Sequence, residues 1–147
     1  MLRPATPPPR ILLASTHDGI EVLRRALAPL ALETACAYSH DEALRQVDLG
    51  VDAVVCSLRF DESRMLDFVA EMGRTRPGLP FVCCSVLESD LPAQSLHAAF
   101  TAAGHLGAVA VLDLPELARR EGAGVAERSL REAVLASVHG IGHASMS

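Results

Sequence analysis

VDAVVCSLR, residues 51–59, decides the fold. Its run from Ala53 to Cys56 is apolar without a break and too short for a helix. A strand built from it has no polar alternation, so both of its faces are buried. Strands of that kind lie in parallel sheets covered by helices on either side. The polar side chain at the far end is Ser57, and the strand ends of such sheets are where ligands and chemistry gather. Between Ala53 and Phe60 there is neither Asp nor Glu. The nearest carboxylates, Asp52 and Asp61, belong to the start of the strand and to the loop beyond it.

The pattern repeats on either side. Ile11–Ala14 and Phe81–Val86 are short apolar runs that read as strands, as do Leu32–Tyr38 and Ala108–Leu112. Thr16 offers an N-cap oxygen to a helix carrying Ile20, Leu23, Ala26, Leu27 and Leu30 at helical spacing, stopped by Pro29. Ser39 and Glu42 form a capping box ahead of a helix over Asp41–Asp48, which Gly50 ends. Asp61–Arg74 reads as one amphipathic helix, with Met65, Leu66, Phe68, Val69 and Met72 on one face. Asp90-Leu91-Pro92 opens a helix running through Ala103. Pro115–Glu121 reads as a single helical turn, and Val125–Val138 as the last helix. Five β-α units with right-handed crossovers make a doubly wound α/β domain over residues 10–139. Pro-rich residues 1–9 and residues 140–147 read as flexible tails.

Composition narrows the function. The 147 residues suit one domain with a real core. They are 50% apolar and 21% charged, which is globular rather than disordered. A net charge of −5 with interspersed arginines provides no basic face for nucleic acid. One Tyr, four Phe and no Trp are too few for single-strand stacking platforms. No apolar run is long enough to span a membrane, and the N-terminus lacks the features of a signal peptide. A cytoplasmic protein with reduced cysteines is the expectation. All thirteen Lys and Arg positions are arginine, which excludes chemistry that needs a lysine amine.

The segments around residues 10–13, Val51–Phe68, PGLPFVCCS (77–85) and GAVAVLDLP (107–115) together resemble the response-regulator receiver domain. The likeness spans roughly residues 10–140, nearly a whole domain. It implies a flavodoxin-like, doubly wound five-stranded parallel sheet in the order 2-1-3-4-5. The family phosphorylates an aspartate at the end of its third strand. An acidic pair after the first strand holds magnesium, a Thr or Ser ends the fourth strand, and a lysine ends the fifth. By that resemblance Ser15 and Thr16 stand for the acidic pair, Ser57 for the phosphoacceptor and Leu114 for the lysine, while Val111 replaces the switch aromatic. Only the hydroxyl position is kept, as Ser85. A serine cannot form the acyl phosphate, and hydroxyls alone do not retain magnesium, which prefers carboxylates. The resemblance therefore implies a degenerate receiver with no metal, no cofactor and no catalysis. It acts on an unnamed protein partner or as a homodimer, through the face the family uses for pairing. Leu96, Phe100, Leu106 and Val111 are the candidate interface. The connection after the fourth strand is longer than the family norm and is the place to look for specificity.

Other groupings are weaker. Cys56 and Cys84 each precede a hydroxyl residue at a strand end, and in register they would share a face as a redox pair, against the plainer reading of buried thiols. A small ligand could occupy the strand-end pocket; together with the redox pair this is the alternative function. Thr16, His17, Ser57 and Ser85 could make a cryptic hydrolase, although no G-x-S-x-G elbow is present. His139 and His143 have metal-ligand spacing, but Gly140 and Gly142 weaken a helix there and no third ligand adjoins. His97 and His105 read as surface or half-buried histidines. The doublets Arg24-Arg25 and Arg119-Arg120 read as solvated faces, or as contacts for an acidic partner.

Overall fold

The structure is a computed structural model that describes residues 7–139. Residues 1–6, the 140–147 segment and His143 lie outside the described residues. Five parallel strands, β1 (Arg10–Ala14), β2 (Glu33–Ala37), β3 (Ala53–Ser57), β4 (Phe81–Ser85) and β5 (Ala110–Asp113), form one sheet in the order 2-1-3-4-5. Period-two alternation divides their side chains between two cores. Leu12, Ala14, Val54, Cys56 and Cys83 face α2 (His40–Leu49), α3 (Met65–Thr75) and α4 (Ala93–His105). Ile11, Leu13, Val55, Val82 and Cys84 face α1 (His17–Leu27), α5 (Leu114–Glu121) and α6 (Ala123–Val138).

The base of the sheet is tied by Arg10. Its backbone N–H donates to Asp52 Oδ2 at 2.8 Å, and its guanidinium donates to the Gly50 carbonyl at 3.2 Å and Gln46 Oε1 at 3.0 Å. Asp52 is thereby held at the opposite end of β3 from Ser57. Ser39 caps α2 as expected, accepting from the Glu42 N–H at 3.2 Å. The return bond of the capping box shifts by one residue, since Glu42 Oε1 accepts from the Tyr38 N–H at 2.8 Å.

Three expected elements are corrected. The helix expected over Asp61–Arg74 begins only at Met65. Before it, Asp61, Glu62 and Ser63 have φ of 47°, 56° and 70°, a single left-handed turn closed by the Arg64 N–H on the Phe60 carbonyl at 2.8 Å. Left-handed conformation costs roughly 1–2 kcal/mol per non-glycine residue. Two contacts offset it: Phe60 is fully buried edge-on to Phe68, and Asp61 Oδ2 accepts the His40 N–H at 2.8 Å. The fifth strand is displaced from Ala108–Leu112 to Ala110–Asp113, because Gly107, at φ 103°, and Leu106 still close the end of α4. Pro115–Glu121 is more than one turn: α5 leaves β5 directly, with Asp113 Oδ1 capping the Glu116 N–H at 3.3 Å.

Glu62 is exposed, so only its backbone is strained. Replacing it with glycine removes the Cβ clash but adds freedom to the unfolded chain; the net expected gain is about 0.5–1 kcal/mol in urea unfolding. Valine at the same place is expected to lower stability.

Candidate functional site

Ser15 follows β1 and Ser57 ends β3. Parallel pairing brings these strand ends side by side, with Ala14 opposite Cys56. Both serines are buried, 1% and 3% exposed, and their hydroxyls meet at 2.7 Å. A buried hydroxyl without a partner is costly, so each satisfies the other. Thr16 caps α1, its Oγ1 accepting from the Gly19 N–H at 3.0 Å. Gly19 has to be a glycine: a Cβ there would lie 2.1 Å from Ser15 Oγ. What remains between Ser15, Thr16, Gly19, Ser57, Arg59, Val86 and Leu87 is about 10 Å³. That is scarcely the space of one water. The ends of β1 and β3 therefore have no room for a small ligand.

Of the five residues expected to share this pocket, Ser15, Thr16 and Ser57 line it, whereas Ser85 and Leu114 do not. Ser57 pairs in register with Cys84, leaving Ser85 one step further along. Ser85 donates instead to the Leu87 carbonyl, at 3.4 Å, and lines a separate groove of about 410 Å³ with Leu91, Leu96, Phe100, Asp113 and Arg119. The residue opposite Ser85 on β5 is Asp113, not Leu114. Leu114 opens α5 with its side chain in the core beside α1 and α6. Sequence reading missed Asp113 because the strand was placed too early. It missed Gly19 because a glycine in a helix's first turn carries no signal until Ser15 is seen against it.

No family model and no curated protein matches the sequence. Solved structures do match. The signal receiver domain of an HD domain-containing protein from Pseudomonas fluorescens Pf-5 is 20% identical, with 89% of this chain and 97% of that one covered and a TM-score of 0.61. A response regulator receiver protein from Pseudoalteromonas atlantica is 17% identical, covering 90% and 99%, with a TM-score of 0.69. A response regulator from Thermotoga maritima is 15% identical, covering 90% and 98%, with a TM-score of 0.65. This is the receiver fold. On that fold the serine pair occupies the mouth of the sheet. Of the nearby acids, Asp18 sits exposed in the first turn of α1, and Asp61 is engaged with the His40 N–H and Arg64. Among the described residues, no three His, Cys, Asp or Glu side chains are grouped to hold a metal ion.

The remaining candidates separate in the same way. Cys56 lies opposite Cys83, and Cys84 faces the other side of the sheet. The Cys56/Cys84 redox pair is thus corrected: a one-residue difference in register sends the two thiols to opposite cores. Burial pushes all three thiols up, Cys83 to about 12, with Cys83 and Cys84 adding to the effect at Cys56 and Cys83 at Cys84. Cys36 is half-buried and accepts from Arg24 Nη2 at 3.1 Å. His17 stacks on Tyr38 with ring centroids 3.9 Å apart, and Ser57 is bonded to Ser15, so no Ser–His couple forms. Arg119 is held by Glu88 and Glu116, and Arg120 pairs with Glu116 and Glu121. Among the candidate interface residues, Leu96, Phe100 and Val111 are half-buried and Leu106 is exposed.

Gly19→Ala should destabilise the chain by about 1–3 kcal/mol despite alanine's better helix propensity. In the Ser15→Ala background most of that loss should vanish, because the next nearest atoms to the new Cβ are Thr16 Oγ1 at 3.1 Å and Ser15 Cβ at 3.3 Å. A double-mutant cycle by urea unfolding measures the coupling.

The native protein is expected to show one fast and three slow thiols toward DTNB. A thiol whose folded pKa is raised leaves stability intact below about pH 9 and removes it as pH climbs toward the folded value. For Cys83 that window runs from the ordinary thiol value of 9.0 to about 12, with a slope of about 1.4 kcal/mol per pH unit. Unfolding titrations across that range should show the loss shrinking in Cys83→Ala.

Proposed function

We propose that this chain is a receiver-like signalling module of the two-component type that works by contact, without phosphorylation on aspartate and without catalysis. The observation that carries the reading is the closed Ser15–Ser57 pair. By the receiver resemblance, a metal-binding acid and the phosphoacceptor would stand there. Two mutually bonded hydroxyls in about 10 Å³ leave space for neither a phosphoryl group nor a hydrated magnesium ion. The buried serine is also out of a kinase's reach.

Output then passes through a surface, to a protein partner or to a second copy. The face formed by α4 and β5 supports that role. Leu106 and Val109, between α4 and β5, are 42% and 39% exposed, Leu91 before α4 is 38% exposed, and Leu96, Phe100 and Val111 are half-buried. Among the described residues only Tyr38, Leu49 and Leu87 are comparably open elsewhere, and neighbouring open apolar residues such as Leu106 and Val109 mark interaction sites more often than scattered ones do. The reading places the module in the cytoplasm, away from nucleic acid and membrane and with no cofactor. Among the described residues, no helix is long and apolar enough to cross a membrane.

Incubation with acetyl phosphate and magnesium should leave the mass and the amide spectrum unchanged. Ser57→Asp should not restore labelling, since positions 15 and 16 still lack carboxylates and no lysine is present anywhere. Stoichiometric acyl phosphate on either protein would refute the proposal. If the second copy is the partner, light scattering should give a dimer mass that falls to a monomer in Leu106→Glu, a change at an exposed site that spares the fold.

A further inference from the structure

β5 runs straight into α5, and Gly122, at φ 101°, turns the chain back into α6. Where these helices meet α1 and the segment after β4, a cavity of about 280 Å³ remains. Its walls are mostly apolar, with Val22, Val86, Leu87, Leu114 and Pro115 set among alanines. Ala26 of α1, Ala118 of α5, and Ala123 and Ala126 of α6 line it. Alanine at four of the lining positions leaves the helices unable to fill the space between them, which larger side chains would close. Only two polar side chains reach the lining, Glu88 and Glu127. Glu88 is bonded to Arg119. Glu127 is exposed and makes no ion pair among the described residues.

An apolar cavity with few polar groups to fix orientation is the ordinary form of a small-molecule site. The charge on this one selects the ligand. A fatty acid or other apolar anion would set its carboxylate against Glu127, whereas a cation there gains an ion pair. We propose that the cavity binds a small organic cation, an ammonium group on a short alkyl or aryl tail, with the tail among the alanines and the ammonium at Glu127. The site goes beyond the contact reading and does not depend on it. Val86 and Leu87 line both this cavity and the serine pocket, so an occupant would touch residues that the two share.

The test is an amide NMR titration of the full chain with n-octylammonium, octanol and octanoate, each below its aggregation threshold. The expected result is saturable shifts confined to amides around Ala26, Ala118 and Ala126. The ammonium should bind roughly threefold tighter than the alcohol, the scale of an exposed ion pair, and octanoate weakest of all. Ala118→Leu, which adds a good helix former inside the cavity, should abolish binding of both. Should that variant fail to fold by circular dichroism, Ala123→Leu at the more open rim fills the same space. Glu127→Gln should bring the ammonium down to the affinity of octanol while leaving octanol unchanged. Scattered or non-saturable shifts, binding that survives a folded cavity-filling variant, or octanoate as tight as the ammonium would each overturn the assignment.

Discussion

The centre of the sheet is shut off from water on both faces, and the rest follows from that exclusion. In β1 and β3 the side chains from Ile11 to Ala14 and from Val54 to Cys56 are fully buried. Such a strand admits polar groups only where it stops. Two strands stop side by side; β3 ends in a serine and β1 is followed by one. With no water to bond, the two hydroxyls have one economical arrangement, and they take it at 2.7 Å. Gly19 completes the seal, because the first turn of α1 must lie close enough to leave no room for even a methyl group.

Much of this was legible in the sequence, for a reason visible in particular residues. Apolar runs such as Ile11–Ala14 and Phe81–Val86 have only one way to be buried, so the strands and the covering helices could be read directly, whereas the strand order came from the receiver resemblance. Thr16 and Ser39 announced their helices through capping oxygens that the structure uses. Facing relationships were harder. Whether Cys56 looks across at Cys83 or Cys84 depends on a shift of one residue between strands. No local signal records that shift, yet it decides which core a thiol enters. The same sensitivity moved the mouth position on β5 from Leu114 to Asp113. The left-handed turn at Asp61–Ser63 escaped notice because it contains no glycine. Its strain is offset by Phe60 and by the Asp61 bond to α2, both of them tertiary effects.

The site and the function stand in a similar relation. Residue types alone were enough to say that aspartyl chemistry lacks its carboxylate, since no register error could bring one to the end of β3. They were not enough to say that the space had closed. On the reading proposed above the module has no covalent switch, and it would change state only when something binds one of its conformations more tightly than another. On that reading, surfaces and cavities away from the serine pair carry whatever information passes through it. The groove at Leu91, Leu96 and Phe100 and the cavity under α5 share Leu87, Glu88 and Pro115 in their linings, so occupants of the two would meet.

Gly19 also bears on the route by which such a domain could change in evolution. A carboxylate placed at position 15 by a single substitution would be larger than the hydroxyl it replaces and would press against the α1 backbone. Its partner at position 57 would still offer only a hydroxyl, and the one cationic side chain lining that pocket is Arg59. Each step back toward a charged mouth is penalised until several others have been made. The tight packing around Gly19 would thus oppose a charged mouth arising by single substitutions.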